Sequence, residues 1–484
     1  MLRHIGIFAL TIAMTAAIGC DSGSRDPNNN ASTTAPATSS TTGGTTSGTT
    51  GNTNTGTATI DLANVALPNA PAAQSKLGAD SVALVVNLAS SGNAAVEVSD
   101  FTISSSGTVD ESADIGELKI YGDDNKNGIV DQGEPVLATI AAPAFTMDDG
   151  SVQVAFANPI TIQPGADLQL IVTADTTAAT PAAQVGKIGK TVELSVAAAA
   201  DLSATYGGSA VTPQGSFPIT GGPVTLFLND HLVISEIMPI GYPATEEFIE
   251  LFNPTAMTID LSNYYLSDQS DTQGAAYYNL PTGSNFDSGN ASDFFVRFPP
   301  GASIAPGQVI TIAFDGGGFE TTYGQAADYA LQNQSGGSVQ MLTHNGTAWV
   351  AVPTGANVEL FDVASGDGEV LVLFHWDGTT DLVQDVDYIY FGTPTSFNFQ
   401  WDKTGISIDG PDADTTPTQY QPETPVAQQS TVPYQQAPNN SIVRQDYTEG
   451  TETPNAGNGI TGHDETSENA AGNWTAAPPT PGQP

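Results

Sequence analysis

The chain has 484 residues, of which only 13 % are charged, yet 52 acids stand against ten lysines and arginines and give a formal net charge of −42. A field of that sign repels phosphate backbones and anionic headgroups, so nucleic acid is excluded as an expected partner. With 50 glycines, 32 prolines and a single cysteine, the composition also excludes a disulfide framework and reads as a turn-rich, extracytoplasmic, all-β protein.

The first residues, Met1-Leu2-Arg3-His4, carry positive charge, and an apolar run from Ile5 to Ile18 follows, then Gly19 and the lone Cys20. That run is shorter than the roughly 20 residues a membrane span needs. Ala17-Ile18-Gly19-Cys20 resembles the bacterial lipobox, with Ala17 where the family prefers leucine. The resemblance implies that residues 1–19 are a lipoprotein signal peptide and that Cys20 carries a diacylglycerol, the chain's tether to a membrane. Two or three acyl chains anchor durably where one does not. The alternative is an ordinary secretory peptide, removed whole. Asp21 resembles an inner-membrane retention signal of some bacteria, and whether the membrane is inner or outer stays open.

From Cys20 to Thr57 the sequence is Ser, Thr, Gly, Asn and Ala, as in Thr41-Thr42-Gly43-Gly44-Thr45. It holds too little apolar surface to fold and is expected to be a disordered spacer with a reach on the order of 35 Å.

Residues 58–229 alternate apolar and small polar residues in short stretches: Val82–Leu88, Val96–Ile103, Val152–Phe156, Leu168–Val172 and Val192–Val196. Such spacing predicts a β-sandwich. Within it, Asp123-Asp-Asn-Lys-Asn-Gly-Ile-Val-Asp-Gln-Gly-Glu134 fits the twelve-residue calcium loop position for position. Asp123, Asn125 and Asn127 would give side-chain oxygens, Ile129 its carbonyl, Asp131 a direct or water-bridged contact and Glu134 both carboxylate oxygens, while Gly128 permits the turn. The flanks, Glu117–Tyr121 and Pro135–Ile140, read as strands rather than helices, so the expected ion is a structural Ca²⁺ that holds a hairpin shut. The plainer alternative is a turn rich in Asp, Asn and Gly. Asp409, Asp412 and Asp414 form a weaker candidate of the same kind.

Residues 230–484 are richer in aromatics. In order come Leu232–Met238, Glu246–Pro254, Ile259–Asp268, Ser303–Gln308 before the strand Val309–Phe314, Ile408–Asp414 and Asn473–Gly482. This series resembles the lamin-tail domain, an immunoglobulin-like sandwich of nuclear lamins and of many bacterial exported proteins. The resemblance implies a second immunoglobulin-like β-sandwich with an adaptor or binding role. Extra sequence at 269–300 and 316–387 implies inserted loops, and 411–458 is expected to be a surface excursion.

No catalytic constellation emerges. Gly189-Lys190-Thr191 lacks the first glycine of a phosphate-binding loop, since Gln184 stands there. His231, His344, His375 and His463 are scattered without metal-ligand spacing, and Glu247 and Glu250 read as strand-edge or solvent-face residues. The aromatics Phe294, Phe295, Trp349, Phe374, Trp376, Tyr388, Tyr390, Phe391, Phe397 and Trp401 are expected mostly in the core, with a carbohydrate platform as the other possibility. The expected protein is a lipid-anchored, non-enzymatic binding or structural component of the cell envelope, its partner an extracellular protein or polysaccharide. The alternative is a polymer hydrolase with carboxylates in the inserted loops.

Overall fold

The computed structural model describes residues 57–67, 73–177, 181–239, 246–269, 274–289, 293–349, 361, 369–392, 402–432 and 440–484. Cys20, the expected signal peptide and spacer up to residue 56, Phe397 and Trp401 lie outside the described residues. Among those described the structure is all-β, and the longest helix is Gly316–Tyr323.

In the first half, two sheets face each other. One runs, strand beside strand, Asp61–Asn64, Ser81–Ala89, Asp167–Ala174, Leu118–Asp123 and Val136–Ile140. The other is built around Val96–Gly107, which pairs antiparallel with Leu202–Tyr206, Ser151–Ile162 and Thr191–Val196. The period of two decides what is buried: Val192, Leu194 and Val196 are at most 1 % exposed, while Thr191, Glu193 and Ser195 between them are half-buried. A bulge between Val98 and Asp100 resets that alternation, so Phe101 and Ile103 also face the core. Leu84, Val86, Ile120, Leu170 and Val172 meet Val98, Phe101, Leu194 and Val196 across the sandwich. Each such burial contributes about 1.5–3 kcal/mol.

The second half stacks a seven-stranded sheet on a four-stranded one. The larger runs Val339–Gln340, Tyr329–Gln332, Val309–Asp315, Phe248–Phe252, Val233–Met238, Ser441–Arg444 and Trp474–Ala477. The smaller runs Phe295–Arg297, Tyr264–Ser267, Glu369–His375 and Gln384–Phe391. Ile237, Ile249, Leu251, Ile310 and Ile312 pack on Leu266, Leu371, Leu373 and Ile389 between them.

The outer faces are covered as well. Val370, Val372 and Phe374, the alternate residues of their strand, pack under Tyr277, Tyr278, Leu280 and Tyr420 from the inserted and C-terminal segments. Phe319 of the helix Gly316–Tyr323 covers Met238, Phe248 and Ala330. Strands such as Val233–Met238 are therefore buried at every position, which replaces alternation with near-continuous apolar runs.

One expectation is corrected and another holds. The segment 411–458 is not simply a surface excursion: Ser441–Arg444 lies in the interior of the larger sheet, paired to Val233–Met238 and to Trp474–Ala477. Four residues with two apolar ones, Ile442 and Val443, are too few to show a period. The aromatics Phe294, Phe295, Phe374, Tyr388, Tyr390 and Phe391 are buried and Trp349 and Trp376 half-buried, so these eight form core rather than a platform.

Among the described residues, no strand of one half pairs with a strand of the other. The halves meet instead along an apolar seam of Ile188, Leu228, Val233, Phe252 and Tyr447. Beside it, the Leu228 N–H donates to the Pro254 carbonyl at 2.8 Å.

Candidate functional site

The Asp123–Glu134 loop joins Leu118–Asp123 to Val136–Ile140, which pair antiparallel. Asp123, buried at the end of its strand, accepts the N–H groups of Gly128 (2.8 Å) and Asn127 (3.2 Å) and the Gln169 amide (2.7 Å). Gly128 has φ +74°, the left-handed conformation the turn requires. Asn125 and Asn127 donate their amide N–H groups to the same Asp131 oxygen, at 2.6 and 2.8 Å. Flipping the two amides would present two oxygens there. Glu134 accepts from the Asp131 N–H at 3.0 Å through Oε2, and its Oε1 is buried without a hydrogen bond. Ile129 is 50 % exposed. Asp123, Asp131 and Glu134 are not among the described acids whose oxygens gather within 4.8 Å of one another. The residues suit a hard cation in kind and order, and the loop is wider than a closed shell.

The weaker acidic candidate is rearranged. Asp409 and Asp412 gather within 4.8 Å of Asp381, while Asp414 instead closes a turn on the Thr416 N–H. Asp381 accepts from the Gly410 N–H at 2.7 Å and the Thr418 hydroxyl at 2.5 Å. Beside them runs an open groove of about 480 Å³ lined by Asp377, Asp381, Gln384, Asp412, Gln421 and Asn458.

Glu247 and Glu250 are 1 % and 0 % exposed, not on a strand edge or solvent face. Their strand is central in the seven-stranded sheet, and the C-terminal segment covers it: the Gly482 N–H donates to Glu250, and the Thr480 N–H donates at 3.0 Å to Glu236 opposite. Burial pushes the Glu250 carboxyl up to about 9. A polymer cannot reach either acid.

A further buried cluster of polar groups is one that no local motif announces. Arg444, fully buried, forks onto both oxygens of Asp387 (2.7 and 2.6 Å), reaches Glu449 (2.9 Å) and Glu468 (3.0 Å), donates through Nε to the Ile234 carbonyl and lies over the Trp474 ring. Next to it the imidazoles of His231 and His463 stack at 4.2 Å between ring centroids. Burial opposes charge on both. Glu449 and Asp230 nonetheless raise His231 to about 10, whereas His463, beside that cation, falls to about 3. Burial and the neighbouring Glu449 push Glu452 up to about 9, and burial with Glu452 lifts Glu465 well above the carboxylate range. These histidines are 232 positions apart in sequence, so reading them as scattered was correct of the spacing and wrong of the fold.

The Lamin Tail Domain family model matches residues 228–390, about a third of the chain. The match stops before Ser441–Arg444 and Trp474–Ala477, which complete the larger sheet of the same sandwich. Among solved structures, the chain is similar to a DUF4876 family protein from Bacteroides thetaiotaomicron VPI-5482, at 14 % identity over 76 % of this chain and 92 % of that one, with a TM-score of 0.29. It is also similar to red sea bream transglutaminase, at 8 % identity over 53 % of this chain and 26 % of that one, with a TM-score of 0.14. At such scores neither likeness carries an argument. No curated protein matches.

Proposed function

We propose that this is a lipid-anchored, non-enzymatic protein of the cell envelope whose second sandwich binds an extracellular protein or polysaccharide and whose first is stiffened by Ca²⁺ in the Asp123–Glu134 hairpin. The observation that carries the reading is the lamin-tail match at 228–390, on a sandwich whose inserted and C-terminal segments close both outer faces and leave Glu247 and Glu250 sealed. Loops on a rigid scaffold carry recognition, and the polar groove beside Asp381 and Asp412 is such a place. The role of Cys20 rests on the resemblance of Ala17–Cys20 to a lipobox.

Anchoring is tested by expressing the full chain and Cys20→Ala in a bacterium and partitioning each between detergent and aqueous phases. The intact chain is expected in the detergent phase and Cys20→Ala in the aqueous phase or unprocessed. Equal partitioning of the two would remove the lipid anchor.

A further inference from the structure

His231, Glu452, His463 and Glu465 each aim one atom at a common point, and these four atoms lie within 4.8 Å of one another. The His231, His463 and Glu465 side chains are 2–3 % exposed and that of Glu452 7 %. The atoms concerned, Nε2 of both histidines and Oε1 of both glutamates, are all buried and in no well-formed hydrogen bond, although Nε2 of His231 also stands 2.7 Å from Oε2 of Glu449. They lie close together: Nε2 of His463 is 2.5 Å from Oε1 of Glu465 and 3.8 Å from Oε1 of Glu452, and Nε2 of His231 is 3.6 Å from Oε1 of Glu465. A buried polar atom without a well-formed hydrogen bond is destabilising. Four buried ligand atoms converging on one point, crowded but without well-formed hydrogen bonds, describe a cage for something between them.

The outward side of each ring is already fixed. Nδ1 of His231 meets Asp230 at 2.8 Å, and Nδ1 of His463 meets the Thr461 hydroxyl at 2.6 Å. Such outer partners set the tautomer and leave Nε2 as the metal-ligating atom, which on His231 exchanges its contact with Oε2 of Glu449 for the ion. Gly459 makes room as well, because a Cβ there would lie 2.2 Å from Nε2 of His463. The neighbouring acids Asp387, Glu449 and Glu468 also converge, but Arg444 fills that position. Arg444 offsets part of their negative charge.

We propose that His231, Glu452, His463 and Glu465 bind a divalent transition-metal ion, Zn²⁺ by ligand type, as a closed structural site. Two imidazoles and two carboxylates balance a dication, and ligand atoms on a tetrahedral zinc at about 2.0–2.1 Å stand about 3.3 Å apart. The 3.6 and 3.8 Å separations are near that value, and the 2.5 Å pair opens slightly on binding. Having no aqueous position, the site is structural: it clamps the segment that carries Glu452, His463 and Glu465 to His231 at the start of the second sandwich. It is independent of the Asp123–Glu134 hairpin.

The test uses the full-length chain. Metal analysis after purification is expected to find about one Zn²⁺ per chain, and stripped protein given Co²⁺ is expected to show the visible bands of four-coordinate cobalt. Both are lost in the pair of substitutions His463→Gln and Glu465→Gln. Asp230→Asn, whose side chain is 59 % exposed and so leaves folding intact, is expected to weaken Zn²⁺ binding by about 10–100-fold. Zinc no more abundant in the wild type than in the double variant, Zn²⁺ lost in Glu134→Gln instead, or unchanged affinity in Asp230→Asn would each overturn the proposal.

Discussion

Glu250 shows what a single buried acid does to the molecule. It stands opposite Glu236 in the central strand pair of the larger sheet, with Gly482 donating to one oxygen and the other, Oε2, buried without a hydrogen bond. Burial raises its carboxyl to about 9 from 4.5, so folding takes up a proton between those values. The stability it contributes is complete below pH 4.5 and declines as pH rises toward 9, at up to about 1.4 kcal/mol per pH unit. Glu250→Gln keeps the acceptor for Gly482 and removes the titration. Chemical denaturation is expected to give equal stabilities near pH 5 and a variant more stable by roughly 1–4 kcal/mol near pH 8; parallel curves would show that Glu250 ionises freely. None of this is legible in the sequence, where Glu246, Glu247 and Glu250 read as strand-edge or solvent-face acids. The segment that covers it comes 232 residues later.

At the scale of elements, legibility follows local pattern. Val82–Leu88, Leu168–Val172 and Val192–Val196 are plain in the sequence because the last alternates with one face in the core and the other two are mostly apolar runs buried on both faces, and the structure extends them by at most two residues at either end. Gly316–Tyr323 was not legible: three glycines open it, and Asp315 caps it through the Gly318 N–H at 2.8 Å. The pattern behind the proposed calcium hairpin is legible because every proposed ligand falls within twelve residues. The unpartnered Oε1 of Glu134 and the two amides crowded on Asp131 are what an added cation would relieve. Calcium at 100 times its dissociation constant contributes about 2.7 kcal/mol, a rise of roughly 3–10 °C in Tm for a unit of this size. Differential scanning calorimetry with a few millimolar calcium, then chelator, is expected to show that rise in the wild type and not in Glu134→Gln. A wild type indifferent to calcium would leave the loop as a turn.

Whether that stabilisation stays local is a property of the whole molecule. The two sandwiches share no strand pairing among the described residues, and their coupling rests on the seam of Ile188, Leu228, Val233, Phe252 and Tyr447. Phe252 and Tyr447 pack at 4.8 Å between ring centroids, and Ile188 reaches them from a loop of the first half without belonging to that half's own core. An apolar contact of this kind transmits stability because exposing it costs free energy whichever half unfolds first. Calorimetry of the wild type is therefore expected to give one coupled transition that moves as a whole with calcium. Ile188→Asp places a charge in the seam while sparing both cores, and a buried unpaired carboxylate costs several kcal/mol unless the contact opens. The variant is expected to melt in two steps, with calcium moving only the step that belongs to the first sandwich. Two independent steps already present in the wild type, unaltered by Ile188→Asp, would show that the seam holds the halves side by side without coupling their folding.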